Sequence, residues 1–251
     1  VNVDIPSPAK NEILIKVEAA GICGTDRHLY HGEFPSVPDK ILGHEFSGIV
    51  VDSGETDFAE GARVTCDPNT WCGTCNQCQR GRVNLCPNNL ATGIHRDGGF
   101  AEFCVFPASK AVVLPNEINP LYGAFCEPLA CTLHGMDIGA AREGETVLVI
   151  GGGVIGLMAV QLAKLAGAEV LLLTRSPEKQ ALGLNIGADY AVSTGDAVRN
   201  IWPEGADLVV ECAGVSATVT LSPRLARSGG RVVILGVVSQ GEMVPIEPFD
   251  L

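Results

Sequence analysis

Cys72, Cys75, Cys78 and Cys86 stand in the order C-x-x-C-x-x-C, then seven residues, then C. Tetrahedral zinc takes soft ligands at about 2.3 Å, and two-residue gaps let a tight turn fold successive thiolates onto one ion. Gly73 and Gly81 supply the backbone freedom that such turns need. Four thiolates leave no open coordination position, so the zinc would be structural. Ordinary buried thiols are the alternative reading, and a nucleic-acid zinc finger is another. The acidity of the chain and the lack of a basic recognition helix argue against the finger. Three further fragments carry ligand-type side chains: Gly21–His28 with Cys23, Gly43-His44-Glu45, and Phe125-Cys126-Glu127-Pro128-Leu129. Each is weak alone. Together they offer thiolate, imidazole and carboxylate, a three-ligand set that leaves a fourth position for water or substrate.

A second kind of chemistry is written in Gly151-Gly152-Gly153-Val154-Ile155-Gly156, which fits G-x-G-x-x-G. The motif follows an apolar strand, Val147–Ile150, and opens a helical run, Val154–Ala166, the context that gives it meaning. Gly151 permits the tight turn, Gly153 lets backbone approach a pyrophosphate, and Gly156 allows close helix–strand packing. The helix amino terminus then faces the phosphates. At the end of the next strand, where an acid would bind the ribose 2′-hydroxyl of NAD, the chain reads Thr174-Arg175-Ser176. Arg175 comes nineteen residues after Gly156. A carboxylate would repel a 2′-phosphate, whereas a guanidinium pairs with it bidentately. Thr174, Ser176 and Lys179 add donors, so the expected cofactor is NADP, with NAD the alternative.

The elements that must position these residues differ in texture between the two halves. Residues 1–126 carry the zinc-type motifs and short β-rich runs at Ile13–Val17, Phe46–Val51, Ala62–Thr65, Ala101–Phe106 and Ala111–Leu114, an irregular and mostly β domain with a metal lobe over 66–90. Residues 127–251 alternate strands with helices. Strands are expected at Val147–Ile150, Val170–Leu173, Tyr190–Val192, Leu208–Glu211 and Val232–Leu235, and helices at Val154–Ala166, Pro177–Ile186 and Ala217–Ala226. That alternation predicts an α/β, doubly wound parallel sheet.

The composition narrows the function classes. The 251 residues are 46% hydrophobic, enough for packed cores, and the net charge of −12 argues against a nucleic-acid partner. The longest apolar stretch, Val147–Val160, is shorter than the roughly 18–20 residues of a membrane span. The opening residues show no secretory signal pattern. Ten cysteines without an export signal point to metal ligands and free thiols in a cytoplasmic protein.

Taken together, the four-cysteine lobe, the Cys23-Gly24-Thr25-Asp26 segment, Gly43-His44-Glu45 and the glycine motif resemble the zinc-containing medium-chain dehydrogenase/reductase family in order and spacing. The resemblance covers essentially the whole chain and is greatest to the sorbitol (polyol) and threonine dehydrogenase branch. It implies a GroES-like catalytic domain followed by a Rossmann domain. It implies that Cys23 and His44 are ligands of a catalytic zinc, with Glu127 where the polyol branch has a glutamate and Cys126 as a rival. Glu45 can enter or leave the metal's shell in similar enzymes, and Asp26 would orient the ligand histidine. Thr25 and His28 match the family's relay, which carries the hydroxyl proton through the cofactor ribose as hydride passes to the nicotinamide. Cys212-Ala213-Gly214 and Leu235-Gly236-Val237 match turns that border the adenine-side ribose and the nicotinamide.

The expected activity is therefore zinc-dependent oxidation of a secondary alcohol, such as a polyol, or the reverse reduction. Threonine 3-dehydrogenase activity is the nearest alternative, and a non-catalytic zinc- and dinucleotide-binding protein is a further one. Relatives continue for about a further third, including a sixth strand in the order 3-2-1-4-5-6. The chain is thus expected to be a fragment whose fifth strand would be a sheet edge. The 251-residue polypeptide alone should be inactive or poorly soluble, which turnover and sedimentation measurements would check. The full-length protein is expected to be a homo-oligomer.

Overall fold

The computed structural model describes residues 2–34 and 37–250, and the chain divides into two units between Glu127 and Pro128. In the amino-terminal unit, β1 (Glu12–Gly21), α1 (Gly24–Tyr30), β2 (Glu45–Asp52) and β3 (Arg63–Cys66) are followed by the small elements of the cysteine lobe, β4 (Asn69–Thr70), α2 (Asn76–Gln79) and β5 (Leu90–Ala91). The unit closes with β6 (Phe103–Pro107), β7 (Ala111–Val113) and α3 (Pro120–Ala124). A five-stranded antiparallel sheet runs in the order β6-β1-β2-β3-β7, and β4 pairs only with β5. Alternate residues of these strands, Ile13, Ile15, Phe46, Val50, Val64 and Phe106, fill one core. Phe46 and Phe106 meet edge to face at 5.7 Å. Period-two burial of this kind fixes strand register, because a slip of one residue would turn the apolar face outward.

The carboxy-terminal unit receives most of α4 (Cys126–Gly139) and then alternates β8 (Thr146–Ile150), α5 (Val154–Leu165), β9 (Glu169–Leu173), α6 (Pro177–Asn185), β10 (Tyr190–Val192), α7 (Gly195–Ile201), β11 (Ala206–Glu211), α8 (Ser216–Leu225) and β12 (Ala226–Ile234). The sheet is parallel throughout, in the order β10-β9-β8-β11-β12. Its central strands are apolar on both faces, with Val147, Val149, Leu172, Leu208 and Val210 in one core and Leu148, Ile150, Leu171 and Val209 in the other. The fold is the expected one: a mostly β domain followed by a doubly wound parallel sheet. Among the described residues β12 is an outer strand, and no helix is long and apolar enough to cross a membrane.

Several elements differ from expectation. The helix α4 was not foreseen, since Glu127-Pro128 reads as a break; Pro128 instead lies in the first turn, where the missing N–H is not needed. Its buried face is Pro128, Thr132, Gly135, Met136 and Gly139, and the two glycines admit Leu235 and Leu208. The short α7 was also unforeseen; Thr194 caps it by accepting the Ala197 N–H at 3.3 Å. The last strand starts earlier than Val232, because Ala226 pairs with Ala206 before the ladder is interrupted.

Charge braces the amino-terminal ends of the parallel strands. Asp207 accepts the Thr146 N–H and hydroxyl, both at 2.9 Å, and the Arg227 Nε–H at 2.5 Å. Glu145 pairs with Arg231 at 2.5 Å. Arg231 holds the Glu145 carboxyl below its ordinary range. At Asp207 burial pushes upward, but the Thr146 and Arg227 hydrogen bonds outweigh it and leave this carboxyl depressed as well. A depressed folded-state value stabilises above the unfolded value and is lost as pH falls through the folded one. Acid should therefore destabilise this unit progressively below about pH 4, the ordinary carboxylate range. Asp207→Asn should cost about 1–3 kcal/mol at pH 7 and flatten the acid limb, as measured by denaturant unfolding at several pH values.

Candidate metal centres and dinucleotide site

The β4–β5 ladder closes the root of a lobe whose turns carry the four cysteines. Gly73 and Gly81 hold positive φ, +73° and +75°, in those turns. The four sulfurs lie within 4.8 Å of one another, with Cys72–Cys86 at 3.6 Å and Cys75–Cys86 at 3.9 Å. Bonds of about 2.3 Å around a tetrahedral zinc would put sulfurs roughly 3.8 Å apart, so the donor set fits that ion. The Thr74 and Cys75 N–H groups pull the Cys72 thiol down to about 5, toward the thiolate that binds metal. The root is fastened by Lys110, whose buried ammonium pairs with Asp67 at 2.8 Å and lies over the Trp71 ring.

The second cluster follows from the register of β1 and β2, in which Gly21 pairs with Glu45. Cys23, two residues past β1, and His44, just before β2, are thereby brought together with Glu45, their ligand atoms within 4.8 Å. A Cβ at Gly21 would collide with the Glu45 carboxylate. Asp26, in the first turn of α1, accepts the Cys23 N–H at 2.8 Å and sets its other oxygen 3.3 Å from His44 Nδ1. That contact misses hydrogen-bond angles, and both atoms are buried without another hydrogen-bond partner. Burial pushes the His44 imidazole toward neutrality, but Asp26 and Cys23 together raise it to about 10. Burial, with Asp26 adding to it, raises Glu45. A cysteine sulfur, an imidazole and two carboxylates gathered in one largely buried place suit a divalent cation, and the donors fit zinc.

The other expected residues of this region are placed as follows. Glu127 is half-buried at the start of α4 and is not in the Cys23–His44–Glu45 group, nor is Cys126. Thr25 is partly exposed in α1. His28, on the same helix, lies with Nδ1 2.8 Å from Glu33 Oε2. Sequence reasoning missed Glu33. It stands five residues after His28, just beyond the helix, a spacing with no helical signature.

In the carboxy-terminal unit the glycine turn lies at the carboxyl end of β8, as expected. Gly151 has φ of +107°, and a Cβ there would come 2.9 Å from the Ala213 nitrogen. A Cβ on Gly156 would strike the Gly151 carbonyl. Gly153 caps α5 with no side-chain hydrogen bond, which leaves the first helical N–H groups open to an anion. Val154 and Val237 are about half exposed beside these turns, and Ile155 is partly so. Burial keeps the Cys212 thiol well above its ordinary range, so it stays protonated. Arg175 is exposed and makes no hydrogen bond or ion pair among the described residues. Ser176 is committed locally: its hydroxyl accepts the Lys179 N–H at 3.3 Å and donates to Glu178 at 2.6 Å. Thr174 and Lys179 both border Gly152.

Residues 9–116 match the alcohol dehydrogenase GroES-like domain family, and residues 154–251 match the zinc-binding dehydrogenase family. The sorbitol dehydrogenase of Halalkalibacterium halodurans is 35% identical over 249 residues, covering 95% of this chain and 73% of the relative. The chain belongs to the zinc-binding alcohol dehydrogenase family. An L-threonine 3-dehydrogenase of Bacillus licheniformis is 37% identical over 248 residues, 94% of this chain and 71% of that protein. A solved structure from Sinorhizobium meliloti 1021, assigned as a zinc-binding dehydrogenase and bound to NADP, is 57% identical. It superposes with a TM-score of 0.95 over 100% of this chain and 76% of that one. Family membership makes this protein a dehydrogenase.

Metal analysis of the intact protein should give about two zinc ions per chain, one for each cluster. The double substitution C23S/H44A should keep the lobe's ion and the fold while losing the other ion and turnover. Cys75→Ser should lose the lobe's ion and lower Tm. A Cys75→Ser protein with full metal content and unchanged Tm would refute the division.

Proposed function

We propose that this protein is a zinc-dependent, NADP-linked dehydrogenase that oxidises a secondary alcohol of a polyol or reduces the corresponding ketone. The observation that carries the reading is the Cys23–His44–Glu45 donor group beside the buried Asp26, in a chain that also holds the glycine turn and Arg175. Zinc at that centre would supply Lewis acidity toward the substrate oxygen, and NADP would accept the hydride. The chain's own residues orient and move the proton. Asp26 faces His44 Nδ1 at 3.3 Å and accepts the Cys23 N–H, so that one carboxylate stands beside two of the ligands. Thr25 receives the hydroxyl proton. His28 delivers it to solvent, with Glu33 holding the ring at Nδ1. In this reading Glu127 serves as a further carboxylate ligand that exchanges with Glu45.

Arg175 and Lys179 carry the cofactor choice, and Gly151, Gly153, Val154, Ile155 and Gly156 take the pyrophosphate. Cys212, Ala213, Gly236 and Val237 border the remainder of the dinucleotide. By their names the two relatives are dehydrogenases of sorbitol and of L-threonine, so threonine oxidation is the second reading. Among the described residues no two cysteines are joined in a disulfide, which suits a reducing cytoplasm. The intact protein is expected to be a homo-oligomer.

Two measurements test this. Steady-state rates of the intact protein on a panel of polyols, simple secondary alcohols and threonine should be highest for a polyol, and highest turnover on threonine would favour the second reading. With the best substrate, kcat/KM should favour NADP over NAD, and Arg175→Asp should shift that ratio toward NAD by roughly 10–100-fold, the worth of one charge-assisted pair. A wild-type preference for NAD would remove the assignment of Arg175.

A further inference from the structure

Glu211 is the last residue of β11 and is completely buried, with no cation paired to it among the described residues. Its backbone stands between Ile150 of β8 and Ile234 of β12 in the parallel register. That is the carboxyl end of the sheet, where the order β10-β9-β8-β11-β12 reverses direction and ligands of such folds bind. The side chain turns back onto the loop that follows it. Oε1 accepts the Ala213 N–H at 2.8 Å, the Gly214 N–H at 3.0 Å and the Thr218 hydroxyl at 2.7 Å. Oε2 lies 3.3 Å from the Gly214 nitrogen. The backbone N–H groups among these partners can only donate, while the Thr218 hydroxyl, which also lies 2.8 Å from the Val215 carbonyl, shares its one proton between that carbonyl and Oε1. The Glu211 carbonyl meanwhile accepts the Leu235 and Gly236 N–H groups at 2.8 and 3.0 Å.

Three turns are packed backbone to backbone around this carboxylate. A Cβ on Gly151 would lie 2.9 Å from the Ala213 nitrogen. One on Gly214 would lie 2.7 Å from the Val237 carbonyl, and one on Gly236 would collide with both Gly214 and Glu211 Oε2. The glycine turn, the turn 212–214 and the turn 235–237 thus have no slack between them. Val215, the N-cap of α8, offers no side-chain cap, and the link from Glu211 to Thr218 ties the first turn of that helix to the same carboxylate.

We propose that Glu211 is the positioning residue of the dinucleotide pocket: its buried carboxylate sets the spacing of the three turns that border the cofactor, without touching the cofactor itself. This rests on the reading that the carboxy-terminal unit binds a nicotinamide dinucleotide. Replacing the carboxylate by an amide weakens the hold on the Ala213 and Gly214 N–H groups and lets turn 212–214 drift against its neighbours. A charge-assisted hydrogen bond held only in the binding-competent arrangement is worth about tenfold in affinity.

The test is titration of the intact, zinc-loaded protein with NADPH and NADH by fluorescence, beside steady-state kinetics. Glu211→Gln should raise Kd and KM for the dinucleotide about tenfold, with KM for the alcohol and the zinc content unchanged. Thr218→Val should move the same constants in the same direction by a smaller factor, and Thr218→Ser should restore them; this pair carries the test if Glu211→Gln does not fold. Wild-type dinucleotide affinity in Glu211→Gln, or in Thr218→Val where Glu211→Gln does not fold, would overturn the assignment of Glu211 alone. A wild-type protein that binds neither dinucleotide would overturn the reading of the unit and the assignment with it. Loss of thermal stability with unchanged cofactor constants would make Glu211 a structural residue only, which also overturns the proposal.

Discussion

The pairing of β1 with β2 is the constraint on which the metal chemistry depends. Cys23 and His44 are separated by twenty positions of chain and meet only because Gly21 lies opposite Glu45 at the end of that ladder. The ladder has to hold against an opposing force, since Asp26, His44 and Glu45 are all buried and the effective penalty for burying an ion is several kcal/mol. What opposes it is the apolar face of the same strands. Ile13, Ile15, Phe46 and Val50 are essentially inaccessible, and each contributes roughly 1.5–3 kcal/mol by burial. The two sums are of the same order. A site of this kind is stable only while register and core agree, and a cation bound among the donors would relieve the electrostatic side of the balance.

The parallel sheet divides its labour between its two ends. At the amino-terminal ends of the strands, Asp207, Glu145 and Asp189 hold neighbouring backbone and arginine or lysine side chains in partly exposed ion pairs. These tolerate solvent and respond to pH. At the carboxyl ends the turns are made of glycine, and the carboxylate between them, Glu211, is sealed from water. A buried acceptor that loses its donors, or donors that lose it, costs more than an exposed pair does. The end that must keep its geometry to within a fraction of an ångström is the end built from buried hydrogen bonds.

Much of this was legible in the sequence because it is local. The cysteine spacing, the glycine motif after Val147–Ile150 and the alternation of strands with helices each lie within a short stretch, and the structure shows the fold they imply. The features that were missed depend on contacts between distant segments. The helix α4 is stabilised by glycines that admit Leu235 and Leu208, a hundred and about seventy residues away. The gathering of Glu45 with Cys23 and His44 was expected from the family resemblance and not from spacing, since it follows from strand register. Glu211 reads in sequence as the polar end of an apolar strand. Its role appears only when the following turn folds back on it, although an acid directly before Cys-Ala-Gly was a visible signal.

The segment after β9 shows how the same local chemistry limits as well as enables recognition. A phosphate near the start of α6 would ordinarily be met by free helix N–H groups, but Pro177 has none and the Lys179 N–H already bonds to Ser176 Oγ. The Ser176 hydroxyl donates to Glu178, which it holds in the charged form. The backbone therefore offers a 2′-phosphate little, and an acidic side chain stands close by. Recognition on the reading proposed here falls to Arg175 and Lys179. Because both are exposed in the free chain, their charge alone would be screened within about a Debye length, roughly 8 Å at physiological salt. Discrimination then comes from the fork geometry of the guanidinium closing on the phosphate and excluding water as it binds, and a lysine at position 175 would not reproduce it.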